Sequence, residues 1–509
     1  MRTLTLVFFI GILISLSSCR TDFETVASTG DLEFSKKTVY LDTVFKNIGS
    51  STYNLKVYNR SKNDISIPSI KLKNGLNSKF RMTIDGMQGN QGKAFENVTL
   101  LAKDSLYIFI ETTAITTDDT EPKDEDRFRY TDKILFASAG KTQEVELVTL
   151  IQDANFIFPN KPLDTGIKET LSIIGLNGVE GHELLTNNEL HWTKDKPYVI
   201  YGYAAVPNGK TLIIDEGARV YFHAESGLVI DNGATLKIEG QLNETNAKGE
   251  IINRREVTFE GDRLEPEFED TPGQWGTIWM REGSYGSIDH LTLKNATVGL
   301  LINNSNLSIS NSQIYNSANV GILARNSTIT GNNLVVNNCG EASLACTYGG
   351  DYNFTHCTFN NNWNSTSQVA VLVNNYILGA NPGAKPLGAN FKNCIIYGSN
   401  NVELFLDKNT SATFNTSFEN CLVKFNDENN SISSDLYEDI RKPEKGNKKN
   451  IDPKFKNSNK NQLNIMVGSG AIGNAKLITP NFSDILNNPR PTLTSSSNDI
   501  GAYQFIAIP

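Results

Sequence analysis

Several features that would assign a function are missing from this sequence of 509 residues. Its six cysteines include no CxxC pair, so a zinc site of the usual spacing is not predicted. It has no Gly-x-Ser-x-Gly, no phosphate-binding loop and no dinucleotide-binding fingerprint, and thus lacks the common hydrolase and nucleotide-binding signatures. No stretch after the N-terminus reaches about 20 apolar residues, the length of a membrane-spanning helix.

A basic surface is missing as well. The formal net charge is -9, and the densest basic segment, residues 441–449, mixes its charges with Asn, Gly and Pro as a loop would. Nothing therefore predicts a nucleic-acid partner. Helix signals are scarce, whereas Asn, Ser, Thr, Gly, Ile and Val dominate. This composition predicts a turn-rich, all-β protein.

The N-terminus carries the most specific motif. Arg2 precedes a short apolar run that ends in Leu16-Ser17-Ser18-Cys19. A positive start, a short apolar core and small residues before the cut are typical of a secretory signal peptide. With a cysteine directly after Ser18, the stretch resembles the lipobox of bacterial lipoproteins. The resemblance implies that residues 1–18 are removed and that Cys19 is acylated, which anchors the chain to a membrane.

The residues after the cysteine bear on the location. Residues 20–24, Arg-Thr-Asp-Phe-Glu, are similar to the acidic Asp-Phe-Glu export signal of some gram-negative lipoproteins. The similarity implies an outer-membrane protein that faces the cell exterior. For the N-terminal motif, the alternative is an ordinary secretory peptide with an incidental cysteine. For residues 20–24, the alternative is a solvated linker with two acids. We assign residues 19–31 to a linker.

Residues 32–152 alternate apolar and polar positions in short segments. This pattern, with turn residues between the segments, predicts about seven or eight half-buried antiparallel strands and hence a β-sandwich. The beginning of the region resembles immunoglobulin-like modules of secreted bacterial proteins, which implies a spacer or adhesion role. The acidic run Asp118–Asp126 fits a solvated loop. A calcium loop is the alternative, although the spacing matches no EF-hand.

Residues 153–195 show little pattern and are assigned to a connector, whereas residues 196–509 carry a repeat. Its unit reads apolar, any, polar, small or cysteine, any, apolar. It is found at Ile288–Leu293, Ile309–Ile314, Ile329–Leu334, Phe354–Phe359, Phe391–Ile396 and Phe418–Val423. A spacing of about 20–25 residues, lengthened by insertions, is typical of stacked coils that share one continuous core.

A second strand recurs between these units. It begins at Val298-Gly-Leu-Leu, Val320-Gly-Ile-Leu, Ala342-Ser-Leu-Ala, Val369-Ala-Val-Leu and Val402-Glu-Leu-Phe. Cys357, Cys394 and Cys421 share one register of the repeat, which predicts an inward stack of small apolar side chains. A disulfide between two of them is the alternative, and with Cys339 and Cys346 the number of remaining cysteines is odd.

Two motifs extend this interpretation. Trp275-Gly-Thr-Ile-Trp279, with Ile288 and Val298-Gly-Leu after it, resembles a pattern of bacterial right-handed parallel β-helix proteins. The tail is similar to a closing motif of that class, with Asp484, Asn488-Pro-Arg490-Pro and Asp499-Ile-Gly-Ala-Tyr503. Over roughly residues 195–505 the resemblance implies a right-handed, single-stranded parallel β-helix. It implies no single function, because the fold hosts lyases, hydrolases, adhesins and plain surface proteins.

Enzymes of this fold mostly cleave acidic polysaccharides, and the hydrolases among them need paired acids. The repeat region contains no Asp-Asp and no His-Gly. Ile288-Asp289-His290 matches a pectate-lyase motif in three letters, yet it occupies the ordinary repeat register. No base and no calcium-binding acids can be assigned beside it. We therefore predict no catalytic residue, no metal ligand and no cofactor, and interpret Asp289 and His290 as an outward polar pair.

Aromatic residues near the longer insertions predict a surface on which sugar rings would stack. They are Trp275, Trp279, Tyr285, Tyr348, Tyr352 and Trp363. Core packing is the alternative for each. Three functions stay open: a surface lipoprotein whose β-helix binds or presents a polysaccharide or a surface protein, a divergent polysaccharide lyase or glycoside hydrolase, and a structural spacer or adhesin. The missing acid pairs favour the first, non-enzymatic function.

Overall fold

The computed structural model describes residues 25–507 apart from 42–43, 46–48, 114–126, 139, 162–165, 174, 176–177, 265–267, 380–381, 428–431, 433–434, 480–482 and 492–497. The predicted signal peptide, Cys19 and the acidic run 118–126 lie outside these residues. The chain is all-β and divides into two units, Met1–Asp153 and Ala154–Pro509. Among the described residues, no helix has the length and apolar character needed to cross a membrane.

The first unit contains two β-sheets. One has the order β1-β6-β10-β11-β3, with β4 on β11 and β8 on β6, and the other has the order β2-β5-β9-β7. The strands are β1 Val26–Ala27, β2 Glu33–Phe34, β3 Thr38–Tyr40, β4 Val44–Phe45, β5 Tyr53–Tyr58, β6 Ile65–Leu72, β7 Phe80–Ile84, β8 Ala94–Leu100, β9 Ser105–Thr112, β10 Arg127–Ser138 and β11 Lys141–Gln152.

Alternation along these strands places every second side chain in the core of the first unit. Leu55 and Val57 of β5 share that core with Ile65 and Ile67 of β6, although the two strands belong to different sheets. A one-turn 3-10 helix spans Gly75–Asn77. The predicted linker 19–31 is not wholly without strand, because β1 pairs in parallel with the start of β6.

The second unit is built from three ladders of short parallel strands, to which each coil of the chain contributes in turn. The first ladder contains β12 Asn155–Ile157, β15 Tyr198–Ile200, β18 Arg219–Phe222, β23 Val257–Gly261, β26 Leu291–Lys294, β29 Gln313–Ser317, β31 Val335–Cys339, β33 Thr358–Asn361, β38 Ile395–Gly398, β41 Leu422–Val423 and β42 Lys448–Lys449.

The second and third ladders are joined because two long strands, β30 Val320–Asn332 and β32 Ala342–Thr355, run through both. The second ladder also contains β13 Gly181–Glu183, β16 Tyr203–Val206, β19 Gly227–Ile230, β24 Ile278–Met280, β27 Val298–Asn303, β34 Val369–Asn374 and β39 Leu404–Asp407. The third contains β14 His191–Trp192, β17 Thr211–Asp215, β20 Thr235–Glu239, β25 Tyr285–Asp289, β28 Asn306–Ser310, β37 Leu387–Lys392 and β40 Phe414–Glu419.

The remaining elements of the second unit are short. Three antiparallel pairs are β21 Glu244–Thr245 with β22 Ile251–Asn253, β35 Tyr376–Ile377 with β36 Gly383–Ala384, and β43 Phe455–Asn457 with β44 Gln462–Ile465. The described helices are α1 Glu438–Arg441 and the 3-10 turns Asp435–Tyr437, Pro443–Lys445 and Ser458–Lys460.

Residues 153–195, assigned from the sequence to a connector, contain β12, β13 and β14, whose two or three residues are too short to leave a clear pattern. One sequence-based assignment within this unit needs correction. The repeat unit assigned to Ile329 starts at Gly331, which pairs with Ile309 on one side and Phe354 on the other. Ile329 and Gly331 are both buried, so the apolar pattern alone does not separate registers two residues apart.

The polar position of the repeat is a turn between the third and first ladders. Its residues all have left-handed backbone, with φ between 47° and 54°: His290, Asn311, Asn333, His356, Asn393 and Asn420. Asparagine tolerates this conformation better than other residues that carry a Cβ atom, and histidine is also enriched there. The recurring Asn or His thus closes each coil at the same corner.

Side chains of successive coils lie above one another inside the ladders. The rings of Phe354, Phe391 and Phe418 stack with centroids 5.3 and 5.0 Å apart. Three residues further along each coil lie Cys357, Cys394 and Cys421, all buried with free thiols. Cys339 and Cys346 are likewise buried and free, so none of the five described cysteines forms a disulfide.

The C-terminal residues cover the outer face of the first ladder. Leu463, Ile485 and Tyr503 pack against Tyr315 and Val335 of that face. Further along, Ile465, Ala471 and Ile500 pack against Ile395 and Leu422. Described residues of the segment resembling a closing motif, among them Ile485, Ile500 and Tyr503, therefore shield outward apolar side chains of successive coils from water.

Candidate functional site

The second ladder also has an apolar outer face. Outward side chains of successive strands are in register along one column: Ala205, Val229, Trp279, Leu301, Leu323, Ala345, Leu372 and Phe405. A parallel column lies beside it and contains Val298, Val320, Ala342 and Val369. We call the part of these columns from Leu301 and Val298 to Phe405 the apolar strip.

The first column begins under a cover supplied by the chain itself. Leu171 and Ile173 are buried against Ala205 and Val229, and Val179 and Trp279 pack on the same cluster. The described residues of 171–179, called here the covering segment, belong to a hairpin: the Leu171 nitrogen donates to the Val179 carbonyl at 2.9 Å, and Thr170 pairs with Glu180. This cluster includes no residue of the apolar strip.

Beyond that cover the strip is a groove open to solvent. A cavity of about 740 Å³ is lined by strip residues and by Tyr348, Tyr376, Ile377 and Leu378. A neighbouring cavity of about 600 Å³ shares Ser367, Val369 and Leu372 with the first, and it extends to Phe405. Leu378 is 76% exposed and Phe405 49%.

Polar groups line the margins of the groove. Arg325 and Glu341 both border the larger cavity, and neither side chain has a hydrogen bond or ion pair with the residues that the structure describes. Asn374 accepts a hydrogen bond from the Tyr348 nitrogen at 3.2 Å, and the Lys385 ammonium lies 4.9 Å from the centre of the Tyr348 ring. The Tyr376 hydroxyl donates to Asp407.

A buried carboxyl group lies behind the second cavity. Glu403 accepts hydrogen bonds from the nitrogens of Asn400 and Ala370 and from the Gln368 side chain, at 2.6, 2.7 and 3.0 Å. Burial raises the pKa of Glu403 to about 7, because removal from water disfavours the charged form more than these hydrogen bonds favour it. Both oxygens of the Glu403 carboxyl group accept hydrogen bonds from these neighbouring residues, so we infer that Glu403 stabilises the wall of the groove.

The six aromatic residues predicted to contact a glycan do not form one surface. Trp275 and Tyr352 are fully buried, so the core alternative is correct for both; Trp275 stacks on Phe222 with 4.2 Å between ring centroids. Trp279 is packed under the covering segment, and Tyr285 stands exposed on β25 of another ladder. Tyr348 lines the groove.

Trp363 occupies the loop after β33 and is half-buried. Its carbonyl accepts a hydrogen bond from the Ser399 hydroxyl at 3.0 Å. Of the six, Tyr348 is the residue with a place in the groove, and Tyr285 and Trp363 keep part of their surface available elsewhere.

Asp289 and His290 are in direct contact, with Nδ1 of His290 2.9 Å from Oδ1 of Asp289. The Asp289 carboxylate accepts hydrogen bonds from Ser310 and Asn311 on the next coil, and both ring nitrogens of His290 are buried. His290 is one of the left-handed turn residues that close each coil. The outward pair expected from the sequence is thus half right: Asp289 is partly exposed, whereas His290 points inward.

Three histidine–carboxylate contacts escaped the sequence analysis: His182 with Glu169 and Glu189, His191 with Asp215, and His223 with Asp262. Nδ1 of His223 lies 2.8 Å from the Asp262 carboxylate, and the imidazole stacks on Tyr201 with ring centroids 4.4 Å apart. The hydrogen bond to Asp262 raises the pKa of His223, and burial raises the pKa of Tyr201 to about 12. A sequence separation of 39 positions hides the His223–Asp262 pair from any local motif.

The strip itself had a visible signal. In the recurring second strand the third and fourth residues are both apolar, as in Leu300-Leu301 and Ile322-Leu323. Neighbouring residues of a strand face opposite sides, so one of each pair has to point outward. Within the described residues, no group of three or more His, Cys, Asp or Glu side chains is placed to hold a metal ion.

Comparisons with known proteins add little. No family model matches the chain, and no curated protein matches it. Solved structures resemble parts of it: a family 123 glycoside hydrolase from Clostridium perfringens, the E. coli chaperone DraB and the Vibrio cholerae protease VesB, at 8%, 14% and 11% identity. They cover 26%, 26% and 24% of this chain, with TM-scores of 0.16, 0.16 and 0.15. The matches span only 24%, 58% and 31% of those structures.

Proposed function

We propose that this chain is a lipid-anchored protein of the outer membrane, facing the cell exterior, whose second unit is a non-catalytic binding scaffold. Its second unit is a right-handed parallel β-helix, and its first unit is an immunoglobulin-like β-sandwich that acts as a spacer. Three ladders of parallel strands from successive coils support the β-helix, and the right hand follows from the strong preference of parallel crossovers. The single core shared by two sheets supports the sandwich.

The apolar strip is the observation that carries the binding function. The outer face of the first ladder, with the same kind of side chains, is shielded by the C-terminal residues. In the strip, Val320, Ala342 and Ala345 are buried, Leu323, Val369 and Leu372 are partly exposed and Phe405 is exposed, so part of its apolar surface faces the groove. A groove with an apolar floor and a few polar groups at its margins is the usual form of a binding site.

The binding function is tested with the dye 1-anilinonaphthalene-8-sulfonate, whose fluorescence reports accessible apolar surface. The chain from Arg20 to Pro509 is expected to give a saturable signal that falls at least several-fold in Leu372→Asp and Leu378→Asp. Ile252→Asp is the matched control, because Ile252 is an exposed apolar residue of the same unit, on β22. A wild-type signal no larger than that of Leu372→Asp would mean that the strip is closed.

An enzymatic function is the second candidate, and the His223–Asp262 pair is what favours it. A histidine whose Nδ1 is held by a carboxylate can transfer protons through Nε2. Incubation with acidic and neutral polysaccharides, with and without calcium, tests this directly. Product release that disappears in His223→Ala and Asp262→Asn would replace the scaffold proposal by a lyase or hydrolase. Retention of a polysaccharide without release would make the ligand a glycan.

The anchor has its own test. If Cys19 is acylated, Cys19→Ala moves the protein from the membrane fraction to the soluble fraction. Retention of this variant in the membrane fraction would contradict the anchor. Protease treatment of intact cells then separates an outward-facing protein, which is digested, from an inward-facing one.

A further inference from the structure

We propose that the apolar strip binds an extended polypeptide segment of a partner protein that carries apolar residues at alternate positions. This inference rests on the proposed binding function and names the class of partner. Two other outward apolar surfaces are covered in the described residues, and polypeptide of this chain covers both: the first ladder by C-terminal residues, including those of the β43–β44 hairpin, and the start of the second ladder by a hairpin whose ends pair at Thr170 and Glu180.

The cover at the start of the second ladder shows the mode of binding. Leu171 and Ile173, two residues apart, both point at the column, as alternate residues of an extended chain do. The intervening Ser172 turns its backbone nitrogen to the Glu183 carboxylate at 2.7 Å. Apolar side chains therefore face the ladder while the backbone of the covering segment finds polar partners at the margin.

The strip continues this interface without a break in register. Trp279, the last residue of the covered cluster, is paired with Leu301, and the column then runs to Phe405 through three further rungs. With about 4.8 Å between strands, the five rungs span about 19 Å, which about six residues of extended chain would cover. A partner segment seated there would extend the surface that residues 171–179 already use.

The margins of the groove suit a backbone better than an acyl chain. A peptide brings unpaired N–H and C=O groups that must be satisfied when water is displaced. Arg325 supplies guanidinium donors and Glu341 carboxylate acceptors, and both are without partners among the described residues that surround the cavity. A saturated hydrocarbon chain would leave these groups unused.

The experiment uses the chain's own covering segment as probe. A fluorescein-labelled peptide of residues 169–181 (ETLSIIGLNGVEG) is titrated with the chain from Arg20 to Pro509, and fluorescence anisotropy is recorded. We expect saturable binding that weakens at least tenfold in Leu372→Asp and in Leu378→Asp, and that is unchanged in Ile252→Asp. The same peptide with Leu171 and Ile173 replaced by Asp is expected not to bind.

Because the Leu378 side chain is largely exposed, Leu378→Asp leaves the fold intact, and circular dichroism checks both variants. Equal affinity of the wild type and the two strip variants would overturn the proposal, as would no binding in a chain that binds the apolar dye at the strip. A chain that binds the dye but not the peptide would still have the proposed binding function. A chain that binds neither the dye nor the peptide at the strip would contradict both the binding function and the peptide proposal.

Two further outcomes would assign the strip to another occupant and overturn the proposal. Sedimentation velocity would reveal a dimer that Leu372→Asp dissociates, if a second copy of the chain occupied the strip. Vesicles of phosphatidylethanolamine and phosphatidylglycerol would sediment with the wild type but not with Leu372→Asp, if the occupant were lipid. We expect a monomer and no strip-dependent vesicle binding.

Discussion

The guanidinium of Arg490 donates a hydrogen bond from Nη2 to Oδ1 of Asn333, over 3.3 Å, and so ties the C-terminal segment to the corner of a coil more than 150 residues earlier. The same guanidinium donates to the carbonyls of Gly501 and Asp499 at 2.9 and 3.2 Å. Asn393, at the same corner, exchanges two hydrogen bonds with the backbone of Lys476. The left-handed Asn residues therefore close the coils and also hold the segment that covers them.

Replacing Arg490 by Ala is expected to release the C-terminal segment. The substitution leaves buried carbonyl groups without donors, which costs on the order of 3 kcal/mol. Limited trypsin digestion is expected to cleave after Lys476 faster in Arg490→Ala than in the wild type. Arg325→Ala, which removes an exposed arginine of the same unit, serves as control and keeps the wild-type rate. Equal cleavage of all three proteins would mean that the segment is held without Arg490.

Substitution of Phe391 tests the stacked core. Its ring lies between those of Phe354 and Phe418, and truncation to Ala removes both contacts and leaves a cavity. We expect Phe391→Ala to lower the free energy of unfolding by about 3–5 kcal/mol in urea titrations followed by circular dichroism. Phe391→Leu, which keeps most of the volume, is expected to lose less than half of that. Similar losses in both variants would show that the site collapses around the smaller residue.

The stack also shows how far the sequence could lead. The sequence alignment of Phe354, Phe391 and Phe418 is correct because each phenylalanine is followed two residues later by Asn or His and three residues later by Cys. The coil at Gly331 was misplaced because its large residue is missing. Prediction of the apolar strip requires one further inference from the sequence. Where two neighbouring strand residues are both apolar, as in Ile322-Leu323, one of them must face outward.

Contacts between distant segments could not be predicted in this way. The His223–Asp262 pair and the bond from Arg490 to Asn333 depend on which coils stack and where the tail returns, and no local spacing encodes either. Short strands such as β14, with two residues, carry too few positions to show alternation. The repeat thus revealed the coils, whereas the surfaces that cover or expose them required the structure.

The buried cysteines are expected to be unreactive in the folded chain. Burial raises the pKa of the Cys394 and Cys421 thiols well above the usual value, and thiolate is the reactive form. With the chain from Arg20 to Pro509, 5,5′-dithiobis(2-nitrobenzoic acid) is expected to label fewer than one of the five thiols natively and all five in guanidinium chloride. Labelling of only three after unfolding without reductant would reveal a disulfide.

Glu403 gives the chain a measurable pH dependence. An unfolded glutamate has a pKa of 4.5, whereas burial raises the folded value to about 7. Between these pH values the folded chain holds a proton that the unfolded chain lacks, so stability from this group is complete below pH 4.5 and is lost as the pH rises through about 7. The full shift corresponds to a loss of about 3 kcal/mol.

Glu403→Gln keeps the side chain neutral at every pH and is expected to remove this dependence. His356 acts in the opposite direction, because burial and the nearby Arg490 hold its pKa well below 6.5, so its contribution is lost as the pH falls below 6.5. Both proteins contain His356, and its effect cancels in their difference. Urea unfolding from pH 4 to 8 is therefore expected to show the wild type losing stability relative to Glu403→Gln as the pH rises. Parallel curves for the two proteins would mean that Glu403 is ionised throughout this range, and that the loop behind the groove holds a charge rather than a proton.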